Sequence, residues 1–332
     1  MPPPSTRPPT RPPTPRWWDS PFPGGLCFDP HSNVFLATAV GDTHAPRGLC
    51  TPWAIAWTQG RPGGAVLRLL TREGQPTDAV DGPQVASDTP LASDGRFLVV
   101  LGPWPAPGGP LTALRLDLTQ PEVVLPLSLT GRPHRDVARA PGMSGHVEAD
   151  ADESWVVLTT DDDRFESCRQ PGRRQWGLAL GSGRAAWFER QAGRTVLVVT
   201  EGIACGPSIR RPVDVADGAR LALAGGGIYW IERSGQVLGL VPDGRGRLRP
   251  VVVEGDGAGV ELAGGEGPWL AVVRYTPGRY TLDLMSIELG ARRAISSASA
   301  RRPALSAGWL LWAEAAVFVP WELRYVHLAT LR

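Results

Sequence analysis

The chain reads as an all-β protein, a β-propeller of about seven four-stranded blades. Three observations predict this: a degenerate repeat, an excess of glycine and proline, and short apolar strands that carry tryptophan. The repeat unit is a Leu-Ala-like pair, a glycine-bearing turn and an apolar strand. Its copies begin near Leu49, Leu91, Val147, Leu178, Leu221, Leu262 and Leu305, and their mean spacing of about 43 residues matches a blade of roughly 40–45. The copies at Val147 and Leu178 are out of step. Either the third blade has a long approach and a short exit, or those two copies share one blade and the count is six. The 40 glycines and 34 prolines among 332 residues punctuate many short strands and leave no room for long helices.

The copy at Leu221 has the clearest anatomy. Residues 221–224 are expected as the innermost strand, 225–227 as a turn, and 228–232, 236–241 and 248–253 as the next three strands. Pro242-Asp243-Gly244 supplies the turn before the last of them. The final copy has space for only three strands before Arg332, so residues 33–39 (NVFLATA) are expected to complete that blade and close the ring without a long free edge. Trp57, Trp155, Trp187, Trp230, Trp269 and Trp312 fall on or beside second strands. They read either as an aromatic ligand platform or as filling for the wedges between blades, at about 150–250 Å² each, and the second is the reading adopted. Residues 1–20 repeat an Arg-Pro-Pro-Thr unit and are expected as an extended or disordered tail, a spacer or a ligand for an aromatic-lined groove. Residues 21–332 are expected as one propeller domain.

Composition removes several function classes. The net charge is +1, the 34 basic residues are all arginine, and the sequence has no lysine. A Walker A loop and Schiff-base catalysis both need one. The paired arginines are spread among blades and matched by acids, so no nucleic-acid face is expected. The apolar runs fall far short of the roughly 20 residues of a membrane-spanning helix. The N-terminal stretch has no apolar leader, which favours the cytoplasm. The cysteines, Cys27, Cys50, Cys168 and Cys205, lack the CxxC spacing of zinc sites. They read as two disulfides, Cys27–Cys50 and Cys168–Cys205, or as four buried thiols. Disulfides would point to an extracytoplasmic location.

Two segments carry a family likeness. GGGIYWIERSGQVLGLVPDGRGRLRPVV, with Tyr229-Trp230, resembles a blade of the bacterial propellers related to YWTD repeats, and SDGRFLVVL, from Ser93, resembles a blade of the TolB-like propellers. Ile231-Glu232 departs from the Thr-Asp half of the YWTD unit. The resemblance covers single blades and implies a fold and extracytoplasmic protein binding, with no catalytic residues to carry over.

Chemistry is sparse. None of the five histidines falls in an HExxH or deaminase pattern, and the chain has no G-x-S-x-G elbow. One constellation stands out. If residues 146–152 are extended, His146, Glu148, Asp150 and Asp152 project from one face, and a hairpin could bring Asp161, Asp162 and Asp163 near the same blade. Converging carboxylates attract a hard divalent cation, and calcium or manganese would fit. The bland alternative is a solvated edge neutralised by Arg164, Arg169, Arg173 and Arg174. No cofactor is otherwise expected. The leading functional expectation is a non-enzymatic propeller that binds or scaffolds a protein or peptide partner through its blade-connecting loops. The alternative is a metal-assisted hydrolase or lyase at the channel mouth, with His146 as general base.

Overall fold

The structure is a computed structural model that describes residues 36–37 and, short gaps aside, 45–328. The tail 1–20, Cys27, His31 and His44 lie outside the described residues. The described chain is all-β, with 28 strands and no α-helix. Five sheets have four strands each, and a sixth has eight. The eight-stranded sheet divides at a single parallel bridge, Ser154 to Arg174, into two four-stranded antiparallel halves. The strands therefore group in chain order into seven four-stranded units, referred to below as blades one to seven. The fourth strand of the last unit is Leu36–Ala37, paired with Glu322–His327.

In blades one to six the strand that comes first in sequence is innermost, and in blade seven the innermost strand is Ala300–Ser306. The first strands of neighbouring blades touch one another: Gly259–Gly264 meets Ala300–Ser306, and His134–Ala140 meets Arg174–Gly181. Fourth strands such as Phe165–Ser167 and Arg292–Ser296 are largely exposed. The copy at Leu221 folds as its sequence predicts, with strands Ala222–Ala224, Gly227–Ile231, Val237–Pro242 and Leu248–Glu254. Gly225 and Gly226 both take positive φ in the first hairpin, the turn geometry that suits a two-residue connection and excludes most side chains.

The out-of-step copy has a simple cause. Val147 lies in Met143–Ala149, the second strand of blade three, whose first strand is His134–Ala140. The first strand, HRDVARA, lacks the Leu-Ala signal, so the repeat pattern falls on the second strand instead. For the same reason Trp155 falls on the third strand, Ser154–Thr160.

The tryptophans fill wedges. Trp187 packs against Val147, Val156 and Leu158 of the preceding blade, Trp230 against Phe188 and Leu197, and Trp312 against Ala271, Val273 and Leu284. Trp57 of the first blade joins Trp309 and Leu311 of the last. A sheet with two apolar faces has no other way to leave water than to stack on its neighbours.

Polar contacts add register to this packing. Gln175 is buried between blades three and four. Its Oε1 accepts from the Val156 amide at 2.7 Å, and its Nε2 donates to the Cys168 carbonyl at 3.1 Å and to Glu189 Oε2 at 3.0 Å. The Cys168–Cys205 disulfide joins the same two blades, with a Cα–Cα distance of 5.1 Å. Cys50 is also disulfide-bonded. Arg139, on the inner strand of blade three, has a fully buried side chain. It pairs with Asp94 of blade two, Nε donating to Oδ2 at 2.8 Å, and with Asp161 at 2.6 Å.

Removing the buried guanidinium strands Asp94, whose side chain is almost inaccessible. Arg139→Leu is expected to cost about 3 kcal/mol in urea-unfolding stability. Adding Asp94→Asn should restore much of that, because the penalty is mainly the stranded charge.

Candidate functional site

The sequence-predicted row of acids is broken by the fold. The strand Met143–Ala149 carries His146 and Glu148 but ends before Asp150, which lies with Asp152 in an exposed turn where the Asp150 amide donates to the Glu153 carbonyl. Asp161 is committed to Arg139, and Asp162 pairs with Arg164 at 2.9 Å. Asp163 lies outside the described residues. The face of one imidazole and three carboxylates expected from the sequence therefore does not form. The alternation holds only as far as the strand does, and the Asp150 turn ends it two residues early.

The structure instead brings His146 and Glu148 together with His134, which the sequence reading missed. His134 is paired with Glu148 across the first two strands of blade three. One ligand-type atom from each of the three lies within 4.8 Å of the others, and all three residues are buried. The two imidazoles stack at 4.2 Å with an interplanar angle of 19°. His134 Nδ1 accepts the Ala113 amide of blade two at 2.8 Å, so the neutral ring carries its proton on Nε2. Burial, aided by the proximity of His146, pushes His134 down to about 3 and keeps it neutral. Burial alone would raise Glu148, but His146 and the hydroxyls of Thr130 and Ser128, each donating at 3.1 Å, outweigh it and hold the carboxyl at about 2. His146 Nε2 stands 3.5 Å from Glu148 Oε1, too long for a good hydrogen bond, and neither ring nitrogen has a hydrogen-bond partner.

This geometry fits a hard divalent cation poorly. Calcium and manganese prefer several oxygen ligands, and the cluster offers one carboxylate. His134 presents an N–H where a metal would need a lone pair. The cluster also lies in the wedge between blades two and three, and His146 is 0% exposed. A general base at a channel mouth needs access to substrate, so that role for His146 does not follow.

A second set of charges does face the axis. Arg47, Asp88, Asp136, Arg220, Glu261 and Arg302 recur at close to one blade's length along the chain, with blade four skipped, and lie on or just before the innermost strands. Blade four contributes a backbone amide: Leu178 N donates to Asp136 Oδ2 at 3.0 Å. The charges act on one another although they come from different blades. Burial, then the like charges of Arg220 and Arg302, bring Arg47 down to about 9, while Glu261 and Asp88 oppose the fall. Arg302 is lowered by burial as well. Burial pushes Asp136 up against the pull of Arg220 and Arg47.

The local cause is a recurrent irregularity. The ladder between first and second strands slips at His134/Asp136, Trp176/Ala179, Gly259/Glu261 and Arg301/Ala304. A bulge leaves a residue unpaired and re-aims side chains; three of these slips fall at or beside Asp136, Glu261 and Arg302, and the fourth spans Leu178, whose amide donates to Asp136. Arg302 adopts φ of 51°, which is unusual for a residue with a side chain. Its amide donates to Glu261 Oε2 at 2.5 Å, and Arg301 Nε donates to Oε1 at 2.6 Å. One signal in the sequence could have found this collar, namely a charge just before the Leu-Ala pair, as in Arg220-Leu221-Ala222 and Glu261-Leu262-Ala263.

No family model matches the chain, and no curated protein matches it. Solved structures do. The propeller domain of the Trilobed protease from Pyrococcus furiosus aligns with a TM-score of 0.60 and 10% identity over 84% of this chain and 94% of that one. A puromycin hydrolase gives 0.61 and 16% over 88% and 53%. Prolyl oligopeptidase B from Galerina marginata gives 0.59 and 12% over 86% and 48%. The chain thus spans about half the length of the last two. At these identities the likeness shows a shared fold, the β-propeller. It also corrects the expectation of a non-enzymatic scaffold, because the propellers that match belong to peptidases and a hydrolase.

The wedge cluster makes acid sensitivity testable. Both His134 and Glu148 have folded pKa values below their ordinary ones, so their stabilisation is present above the unfolded value and lost as pH falls. The window runs from about 6.5 to about 3 for His134 and from about 4.5 to about 2 for Glu148, with up to roughly 1.4 kcal/mol lost per pH unit per group. Unfolding midpoints of the parent and His134→Gln should converge between pH 6.5 and pH 5 on acidification. Burial lowers His327 also, but its contribution cancels in the comparison.

Proposed function

We propose that this chain is the propeller of a peptidase system, receiving peptide at its axial face while bond cleavage falls to a separate hydrolase unit. The observation that carries this reading is the charged collar: six ionisable residues from six blades, three on the innermost strands and three just before them. The fold shared with propellers of a protease and of prolyl oligopeptidases supports it. So does the lack of a G-x-S-x-G elbow, which leaves the propeller without a serine nucleophile of the α/β-hydrolase type. In the same reading residues 21–332 form one seven-bladed domain, with Leu36–Ala37 completing the last blade. The likeness of single blades to YWTD and TolB-like propellers adds only the general fold.

Fluorescence anisotropy with labelled, unstructured dodecapeptides tests the proposal. Saturable binding is expected, with unfolded polypeptide competing and a folded protein of similar composition failing to compete. If a mixed-sequence peptide set shows no binding up to millimolar protein, the reading is wrong.

A further inference from the structure

The collar is not electrically balanced by its own contacts. Glu261 is held by Arg301 and by the Arg302 amide. Asp136 accepts from the Val137 and Leu178 amides, each at 3.0 Å, and its burial disfavours the charged form. Arg47 and Arg220 are different. Among the described residues neither side chain has an ion-pair or hydrogen-bond partner, and Arg47 Nε is inaccessible to water as well as unpartnered. The Arg47 backbone is fixed by its exchange with Thr58, whose Oγ1 accepts the Arg47 amide at 2.9 Å and whose own amide donates to the Arg47 carbonyl. The guanidinium is therefore presented from a rigid base. Asp88 is the one collar carboxylate without a partner among the described residues, and the two arginines outnumber it.

An unpaired buried donor costs about 1–3 kcal/mol, more when charged, and two guanidinium groups that feel each other add repulsion. An incoming carboxylate would remove both penalties, since a guanidinium offers two parallel N–H donors matched to two carboxylate oxygens. We propose that Arg47 and Arg220 form a carboxylate-binding site at the propeller axis, which anchors a peptide by its C-terminal carboxylate or by an acidic side chain. This inference rests on the peptide-receiving reading and names the chemistry that the reading requires. Arg302, strained and tied to Glu261, shapes the site from the neighbouring blade. The site is specific for a planar anion, because a guanidinium fork meets a carboxylate edge-on, whereas a peptide amide offers one acceptor per oxygen and no charge.

Three peptides of one sequence separate the sources: one with a free C-terminus, one amidated, and one amidated but carrying an internal glutamate. Binding to the full chain should weaken at least tenfold on amidation if the terminus is the anchor, and should return with the internal glutamate if any carboxylate serves. Arg220→Met, at an exposed position that leaves folding intact, should weaken the carboxylate peptides at least tenfold and leave the amidated one unchanged. Arg47→Met should do the same, and Arg245→Met, in an exposed turn, should change nothing. Equal affinity for all three peptides, or no effect of Arg220→Met, would overturn the site while leaving peptide reception standing. If no peptide binds, calorimetric titration with glutarate tests the arginine pair by itself. Saturable heat that Arg220→Met abolishes upholds the pair, and no heat with the parent protein sinks it.

Discussion

The inner strands of this propeller approach so closely that side chains cannot separate them. A Cβ on Gly264 of blade six would stand 1.9 Å from the Leu223 carbonyl oxygen of blade five, and one on Gly177 of blade four would stand 2.6 Å from the Ala219 carbonyl oxygen at the entry to blade five. Farther out, Gly102 on the second strand of blade two meets the Gln84 carbonyl on the fourth strand of blade one, where a Cβ would stand at 2.5 Å. Only glycine fits where backbone meets backbone at such distances. The rest of the architecture follows from this crowding. Blades splay outward from a narrow axis, the gap between them widens with radius, and the second strands must supply bulk, which Trp187, Trp230 and Trp312 do.

Crowding also explains why the ladders slip on the inner strands. A regular strand would point alternate side chains into the adjacent blade, where space is least. A bulge releases one residue from the ladder and twists it away, and the direction left open is the axis. Arg302 is such a released residue, while Asp136 and Glu261 keep their ladder partners directly beside the slip. Glu261 and Gly264 sit three residues apart on one inner strand, the first aimed out of the packing and the second allowing it.

Much of this was legible in the sequence, and the failures share a cause. The repeat length, the anatomy of the blade around Leu221 and the wedge role of the tryptophans follow from periodicity and apolar content, which are local properties. Blade three was misread because its inner strand, HRDVARA, carries four ionisable residues where other blades show Leu-Ala. Those residues are the ones the fold uses between blades: His134 on Ala113, Asp136 on Leu178, and Arg139 on Asp94. Their partners lie about 20 to 45 residues away, and no single-strand pattern shows them. The row from His146 to Asp152 failed for the opposite reason. Alternation was real but local, and a turn at Asp150 ended it.

Histidine and arginine play contrasting parts because of where burial places them. In the wedge, His134 is held neutral and hydrogen-bonded to a neighbouring blade, and protonation would damage the packing it belongs to. At the axis, burial and like charge lower Arg47 only to about 9, so it keeps its charge at neutral pH and carries a standing electrostatic cost. A fold that needed position 47 only for packing could lower its free energy by replacing Arg47 with an apolar residue. Positions that break the local rules of a packed core without a compensating contact inside the protein point outward, to something the protein binds.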